Sequence, residues 1–128
     1  MSFNTSQQEA IRHKDGPMLV LAGPGSGKTT VITERTKNLI IESHVNPANI
    51  LVITFTKAAA TEMKERFRRL VGDADYPVTF GTFHAVFFAI LKHAYHYRAE
   101  NIIREEQKFQ CMRGLIAKHR LEYEDETE

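Results

Sequence analysis

The stretch LAGPGSGKTT, residues 21–30, contains three of the seven glycines of the chain within five positions. An apolar run, residues 17–23, leads into these glycines and predicts a buried strand. Residues 28–43 lack Gly and Pro and predict a helix that begins at Lys28. A glycine-rich turn between a strand and a helix is typical of a loop that binds phosphate groups, and this stretch therefore sets the fold prediction.

The chemistry of the stretch supports a nucleoside triphosphate site. Glycine adopts positive φ easily, so successive backbone N–H groups can face one anion, and a helix N-terminus adds unpaired donors and partial positive charge. In the pattern G-x-x-x-x-G-K-[ST], the lysine contacts the β- and γ-phosphates and the hydroxyl coordinates Mg²⁺. Lys28 and Thr29 are thus the predicted catalytic residues, with Thr29 on the metal. The predicted cofactor-binding residues of the loop are Ala22, Gly23, Pro24, Gly25, Ser26, Gly27, Lys28, Thr29 and Thr30.

Further elements follow in alternation. Residues 50–56 and 78–82 are rich in β-branched residues and predict strands, while residues 57–71, 82–97 and 105–120 predict helices. Strands that alternate with helices predict an α/β fold with parallel βαβ units. The apolar helical faces predicted to enter the core are Ala59, Met63, Phe67, Leu70 and Val71; Phe83, Phe87, Ile90, Leu91 and Ala94; and Phe109, Met112 and Ile116.

The bulk composition predicts a globular domain, with 42% hydrophobic and 26% charged residues. No apolar run approaches the roughly 20 residues that span a bilayer, and the start is polar, so we expect neither a membrane span nor a signal peptide. A lone Cys111 agrees with a cytoplasmic location. The last eight residues hold five acidic groups and no base, which leaves 17 basic against 11 acidic residues before them. A basic body is compatible with an anionic partner, although solvated helix faces give the same pattern.

Together with the loop, the flanking segments resemble the N-terminal motor domain of superfamily 1 DNA helicases of the UvrD/Rep/PcrA group, in which the loop often begins with Ala as at Ala22. FNTSQQEAI, residues 3–11, resembles the Q motif of that family. The resemblance implies that Gln7 binds the adenine edge through its amide, which offers both donors and an acceptor. Gln8 is adjacent, but the spacing to Asn4 and Ala10 favours Gln7. A polar helix start is the alternative.

Two more segments resemble the single-stranded DNA contacts of the same family. ILVITFTKAAATEMKERF, residues 50–67, resembles motif Ia, and GTFHAVFFAIL, residues 81–91, resembles the G-T-F-H segment. The alternatives are that Phe55 and Phe83 belong to the core and that His84 is a surface residue without a role. For Lys57, which is displaced by one position from the basic residue of the family, the alternative is that it has no specific role. The DNA-contacting residues implied are Thr54, Phe55, Thr56, Lys57, Thr82, Phe83 and His84.

The resemblance implies a P-loop NTPase of the RecA-like type, with a parallel sheet flanked by helices. We expect this sheet to be incomplete, because no Walker B motif is found: Asp125-Glu126 lacks the apolar strand that should precede it. The expected division is residues 1–98 as the motor-domain portion and residues 99–128 as the start of a helical insert with an acidic tail.

The implied function is the ATP-binding N-terminal part of an ATP-dependent DNA helicase, with ATP and Mg²⁺ as cofactors. Its expected partners are single-stranded DNA and the remainder of a helicase, including a second motor domain. Alone, the chain is expected to bind ATP without efficient hydrolysis or unwinding. An open sheet edge would permit self-association. The alternatives are a non-catalytic nucleotide-binding module and a P-loop phosphotransferase for small molecules.

Overall fold

A computed structural model describes residues 2–119 of the chain. Strands and helices alternate through its middle, which confirms an α/β fold. The elements are α1 (Thr5–Arg12), α2 (Lys28–Ile41), β1 (Leu51–Thr54), α3 (Lys57–Val71), β2 (Thr79–Thr82), α4 (Phe83–Tyr95) and α5 (Glu105–His119), with short 3₁₀ helices at Pro47–Asn49 and Ala99–Asn101. The Asp125-Glu126 pair lies outside the described residues.

The two strands form a parallel pair in which Leu51 lies opposite Thr79 and Thr54 lies opposite Thr82. Parallel neighbours cannot be joined by a tight turn and need a crossover, which α3 supplies here. The predicted strands within 50–56 and 78–82, and the βαβ unit that they form, are confirmed. Because the pairing is in register, both strands end at the same edge of the sheet.

The apolar run before the glycine-rich loop, residues 17–23, is irregular, so the strand predicted there is wrong. A strand needs hydrogen bonds to a neighbouring strand, and within residues 2–119 the two strands that form are paired with each other. Leu19 and Leu21 are 84% and 87% exposed. The run therefore has the composition of a buried strand, while the described part of the chain leaves Leu19 and Leu21 largely uncovered.

Helix α3 has the bounds that the sequence predicts, and its two ends show why. Thr56 Oγ1 accepts a hydrogen bond from the Ala59 N–H at 3.1 Å, which satisfies one of the unpaired donors of the first turn. At the other end Gly72 has φ +69°, a conformation that glycine adopts without a steric penalty. The Gly72 N–H still donates to Arg68 O at 3.0 Å, and the helix stops there.

The core lies between α2, α3 and the face of the sheet that carries Val52 and Phe80. Its buried residues are Ile40, Ile50, Phe67 and Val78, with Leu39, Val45, Val52, Val71, Tyr76 and Phe80 packed against them. Phe67 is 2% exposed, and its ring centroid lies 5.6 Å from that of Phe80. Ala60 shares the buried side of α3 with Phe67, whereas Ala59, which the helical pattern placed there, is half-buried.

The core face predicted for α4 is wrong. Its buried residue is Val86, which packs closely on the sheet, because a Cβ added at Gly81 would lie 3.3 Å from Val86 Cγ2. This contact turns the predicted face outward, and Phe83, Phe87 and Ile90 are exposed.

The chain divides into two compact units, one ending at Phe87 and the other beginning at Phe88. Helix α5 belongs to the second unit and has no buried residue among its own. Phe109 and Met112 are exposed, so their predicted place in a core is also wrong. None of the helices in the described range is long and apolar enough to cross a membrane.

Candidate nucleotide site and strand-end edge

Residues 22–30 are called the phosphate loop below, and their backbone has the bends that glycine permits. Gly25 and Gly27 have φ +73° and +79°, in the left-handed region that other residues enter at a cost. The Ser26 N–H donates to Gly23 O at 3.3 Å and closes a turn. Gly27 is the N-cap of α2 and no side chain caps this helix, so the first-turn N–H groups have no side-chain acceptor there.

One carbonyl oxygen of the phosphate loop accepts hydrogen bonds from two side chains of the loop. Gly23 O accepts a hydrogen bond from Ser26 Oγ at 2.7 Å and another from Lys28 Nζ at 2.8 Å. The ammonium group therefore lies over the loop, although Lys28 remains exposed. A phosphate bound at the helix N-terminus would meet this charge within reach of a small side-chain movement.

The first turn of α2 carries Thr29 and Thr30, which are half-buried. Thr33, one turn later, is 3% exposed and its Oγ1 donates to Thr29 O and Thr30 O at 3.0 Å each. These bonds satisfy the buried hydroxyl of Thr33 within its own helix. They also link Thr33 to the turn that carries Thr29, the predicted Mg²⁺ ligand.

Gln7 connects α1 to the phosphate loop. Asn4 Oδ1 accepts from the Gln7 N–H at 2.9 Å and the Asn4 N–H donates to Gln7 Oε1 at 3.0 Å, a reciprocal capping box at the start of α1. Gln7 Nε2 donates to Ser26 O at 3.1 Å. The neighbouring Gln8 instead donates to Phe3 O. The structure thus distinguishes the two glutamines by position, with Gln7 on the loop.

Arg35 of α2 fixes the other end of α1, and sequence reasoning missed this contact. Its Nη1 donates to Ala10 O at 2.7 Å and to His13 O. Ala10 lies in the last turn of α1 and His13 is its C-cap, so the bonds satisfy carbonyls at the helix end, where a cation is favourable. The sequence gives no signal for this contact of Arg35, since its partners are backbone carbonyls, which every residue has.

A cavity of about 340 Å³ lies beside the phosphate loop. It brings together Gln7 and Lys28 with the apolar side chains of the preceding run and of α2. Its lining residues are Asn4, Ser6, Gln7, Ala10, Met18, Val20, Leu21, Ala22, Gly23, Ser26, Lys28, Val31, Ile32 and Arg35. Among the residues predicted to bind the cofactor, Pro24, Gly25, Gly27, Thr29 and Thr30 do not line this cavity.

Residues 54–56 and 82–84 form a second cluster, called the strand-end edge below. The parallel register places Thr54 beside Thr82, so the two predicted DNA-contacting segments meet at one edge. Phe55 is 89% exposed, which rules out its reading as plain core. Its ring centroid lies 5.6 Å from that of Phe83, and the Phe87 ring follows at 6.1 Å from Phe83.

The hydroxyl groups of the strand-end edge cap the helices that follow the strands. Thr56 Oγ1 caps α3, as described above, and Thr82 Oγ1 accepts from the Ala85 N–H of α4 at 3.2 Å. Accepting these bonds does not use the O–H donor of either threonine. Thr54 Oγ1 donates to Thr56 O at 2.9 Å. Lys57 and His84, at the first turns of α3 and α4, are exposed.

These features describe a small α/β protein with a glycine-rich loop at a helix N-terminus and an aromatic edge beyond two parallel strands. The chain belongs to the family described as the UvrD/REP helicase N-terminal domain, which matches residues 3–127. It is therefore a member of a DNA helicase family.

Individual relatives agree with this assignment. The chain is 49% identical over 90 residues, or 70% of its length, to the ATP-dependent DNA helicases PcrA of Staphylococcus aureus (strain Mu50) and of Bacillus subtilis (strain 168). The PcrA helicase of Staphylococcus epidermidis is 47% identical over 91 residues, 71% of the chain. In each case the matched part is 12% of the relative, so the chain spans about one eighth of their length.

Proposed function

We propose that the chain is the ATP-binding N-terminal part of an ATP-dependent DNA helicase that translocates on single-stranded DNA, with a P-loop NTPase fold of the RecA-like type. One observation carries the proposal: left-handed glycines lead directly into Lys28 at the start of α2, and Gln7 of α1 donates a hydrogen bond to the same loop. PcrA relatives, named ATP-dependent DNA helicases, support the substrate class.

In this proposal each part of the phosphate loop has a separate role. The backbone N–H groups of Gly25, Gly27, Lys28 and Thr29 bind the phosphate oxygens, because the glycine conformations turn N–H groups of the loop to one side. Lys28 moves from Gly23 O to the β- and γ-phosphates. Gln7 binds the adenine edge, for which a side-chain amide offers a matching donor and acceptor.

The phosphate loop fits a Mg²⁺ ion only in company with the nucleotide. Mg²⁺ prefers six oxygen ligands, usually a few from protein together with phosphates and water, and Thr29 contributes one hydroxyl. Within residues 2–119 no group of three or more acidic, histidine or cysteine side chains could hold a metal. Bound Mg²⁺ would neutralise charge on the phosphates, while Thr29 orients it from the half-buried first turn of α2.

Efficient hydrolysis requires groups beyond those at this site. Phosphoryl transfer needs a residue that positions the attacking nucleophile and groups that stabilise the transferred phosphoryl, and no Asp or Glu of the described residues lines the loop cavity. We therefore propose that the chain alone binds ATP without efficient hydrolysis or unwinding, and that a second motor domain completes the reaction. The same observation favours a nucleotide-binding module as the behaviour of this chain by itself.

The strand-end edge is the proposed contact for single-stranded DNA. Phe55 and Phe83 present exposed rings on which bases can stack, an interaction that tolerates any sequence. The hydroxyls of Thr56 and Thr82 retain donors for phosphate oxygens, and helix N-termini add N–H groups. Lys57 adds a positive charge at the same place. Thr54 and His84 lie at the same edge and are the remaining residues of the proposed DNA contact.

Two structural expectations remain as proposals. Residues 1–98 are proposed as the motor-domain portion, and residues 99–128 as the start of a helical insert with an acidic tail. Self-association is proposed to occur through an open edge of the sheet, because the sheet formed by residues 2–119 has two strands and each has one edge without a partner strand there.

The test of nucleotide binding is a calorimetric titration with Mg-ATP and Mg-GTP. Lys28→Ala is expected to weaken ATP binding at least tenfold, since hydrogen bonds to charged groups contribute about 1.5–3 kcal/mol. Lys37→Ala removes a charge from the same helix α2 outside the cavity lining and should leave the affinity near wild type. Equal ATP affinity in all three proteins would contradict the proposal.

A further inference from the structure

Gln7 has contacts that binding of adenine alone does not require. Its Oε1 accepts from the Asn4 N–H at 3.0 Å and its Nε2 donates to Ser26 O at 3.1 Å. One partner is a backbone donor and the other a backbone acceptor, so the orientation of the amide is determined by both. The side chain is thereby a fixed link between the start of α1 and the phosphate loop.

The contact with Ser26 O has a consequence for the next peptide N–H. The carbonyl of Ser26 and the N–H of Gly27 belong to one planar trans peptide and point in opposite directions. Holding Ser26 O toward Gln7 therefore turns the Gly27 N–H away from Gln7, and in the proposed nucleotide site this N–H faces the phosphate. Gln7 also lies against Gly27, since a Cβ there would be 3.6 Å from Gln7 Nε2.

We infer that Gln7 is a positioning residue for phosphate binding, in addition to any contact with the base. It acts by setting the orientation of the Ser26–Gly27 peptide, and so of an N–H that binds phosphate. The inference rests on the proposed nucleotide site. A side-chain amide has two N–H donors and two acceptor lone pairs, so one donor and one lone pair are left for the adenine edge, and the two roles are compatible.

The link is anchored at both ends of α1. The capping box with Asn4 fixes the first turn, and Arg35 of α2 donates to Ala10 O in the last turn and to the C-cap carbonyl of His13. Since α2 begins at the phosphate loop, the Arg35 contact fixes α1 to the element that carries Lys28. Gln7 therefore contacts the loop from a helix that is itself bonded to α2.

The test uses a ligand that has phosphates and no base, Mg-tripolyphosphate, beside Mg-ATP. Two variants of the whole chain are compared. Gln7→Ala removes both side-chain bonds. Gln7→Glu retains an acceptor for the Asn4 N–H and keeps a favourable capping box, but it faces Ser26 O with an oxygen instead of a donor. The Glu variant thus preserves α1 while losing the link to the phosphate loop.

Gln8 offers matched controls at the next position. Its amide donates to Phe3 O at 2.9 Å, in the segment that precedes α1, and makes no such bond to the loop. Gln8→Ala controls for a lost helix contact, and Gln8→Glu controls for an added negative charge near a polyanionic ligand. Thermal unfolding of all four variants separates loss of helix stability from loss of loop geometry.

The expected result is a threefold to tenfold weaker affinity for tripolyphosphate in both Gln7 variants than in the matching Gln8 variants, about the effect of one net hydrogen bond. Gln7→Glu should show it with an unfolding midpoint near wild type. Gln7 variants that bind tripolyphosphate like their controls, while losing preference for ATP over GTP, would overturn the inference and leave the proposed function intact. A wild-type chain that binds neither ligand would overturn both.

Discussion

In the phosphate loop, Gly23 O accepts from the Ser26 N–H, from Ser26 Oγ and from Lys28 Nζ, all within a few residues of sequence. At the strand-end edge, Phe55 and Phe83 meet only because β1 and β2 pair in parallel register. The first geometry follows from local backbone conformation, and the second from the packing of α3 beneath the sheet. They should therefore respond differently to changes in the core, in the glycines and in the caps.

The largest effect is expected from Phe67→Ala. Phe67 is 2% exposed and packs on Phe80 of β2, and truncation of a buried phenylalanine costs about 3–5 kcal/mol. Urea unfolding should show this loss, and single-stranded DNA binding should fall with it because the sheet register forms the strand-end edge. Phe109→Ala, at an exposed position of α5, is the control. Equal stability of the two variants would contradict the assigned core.

Phe55→Ala should separate DNA binding from stability. Base stacking on an aromatic side chain contributes about 1–3 kcal/mol, so affinity for an oligothymidylate should fall at least fivefold in fluorescence anisotropy. Since Phe55 is 89% exposed, the free energy of unfolding should change little. Mg-ATP binding, measured in parallel, should be unaffected. Unchanged DNA affinity would place the DNA contact elsewhere on the chain.

Gly27→Ala tests the local geometry of the phosphate loop. At φ +79° an L-residue costs roughly 1–2 kcal/mol, so we expect about tenfold weaker Mg-ATP binding. The control is Gly114→Ala in the interior of α5, where a Cβ meets nothing within 4 Å. There the change should stabilise, because alanine is the better helix former. A Gly27→Ala protein with wild-type affinity would show that the left-handed bend is dispensable.

The smallest effect is expected from Thr56→Ala, which removes the N-cap of α3. Loss of such a cap costs about 1 kcal/mol, and Thr56→Ser should restore most of it. Thr61→Ala, inside the same helix, removes a hydroxyl that bonds only to Lys57 O and should be neutral or stabilising. Urea denaturation of the three variants decides this, and a destabilised Thr61→Ala with an unaffected Thr56→Ala would contradict the capping assignment.

Local features of the fold were predictable from sequence, and features that depend on neighbours were not. The bounds of α3 follow from Thr56 and Gly72 at its ends, and the bends of the phosphate loop follow from Gly25 and Gly27. The run 17–23 has a strand composition, yet a strand exists only with a partner. Periodicity shows which side chains share a face and not what covers them, so it predicts a core position for a face of α4 whose Phe83, Phe87 and Ile90 are exposed.

The candidate site shows the same division. Lys28 and the glycines could be located because their spacing is fixed by one short loop. The contact between Gln7 and Ser26 O, and that between Arg35 and the last turn of α1, join distant segments through backbone carbonyls. Backbone acceptors are the same at every residue, so sequence carries no signal for such partners.

The most direct test of nucleotide binding at this loop is a two-dimensional amide NMR titration of the chain with Mg-ATP. We predict that the signals of Gly25, Gly27, Lys28 and Thr29 and the side-chain amide of Gln7 shift together and saturate, while Phe55 and its neighbours at the strand-end edge stay in place. Shifts confined to the strand-end edge, or none in a chain with the dispersed spectrum of a folded protein, would contradict the proposed nucleotide site.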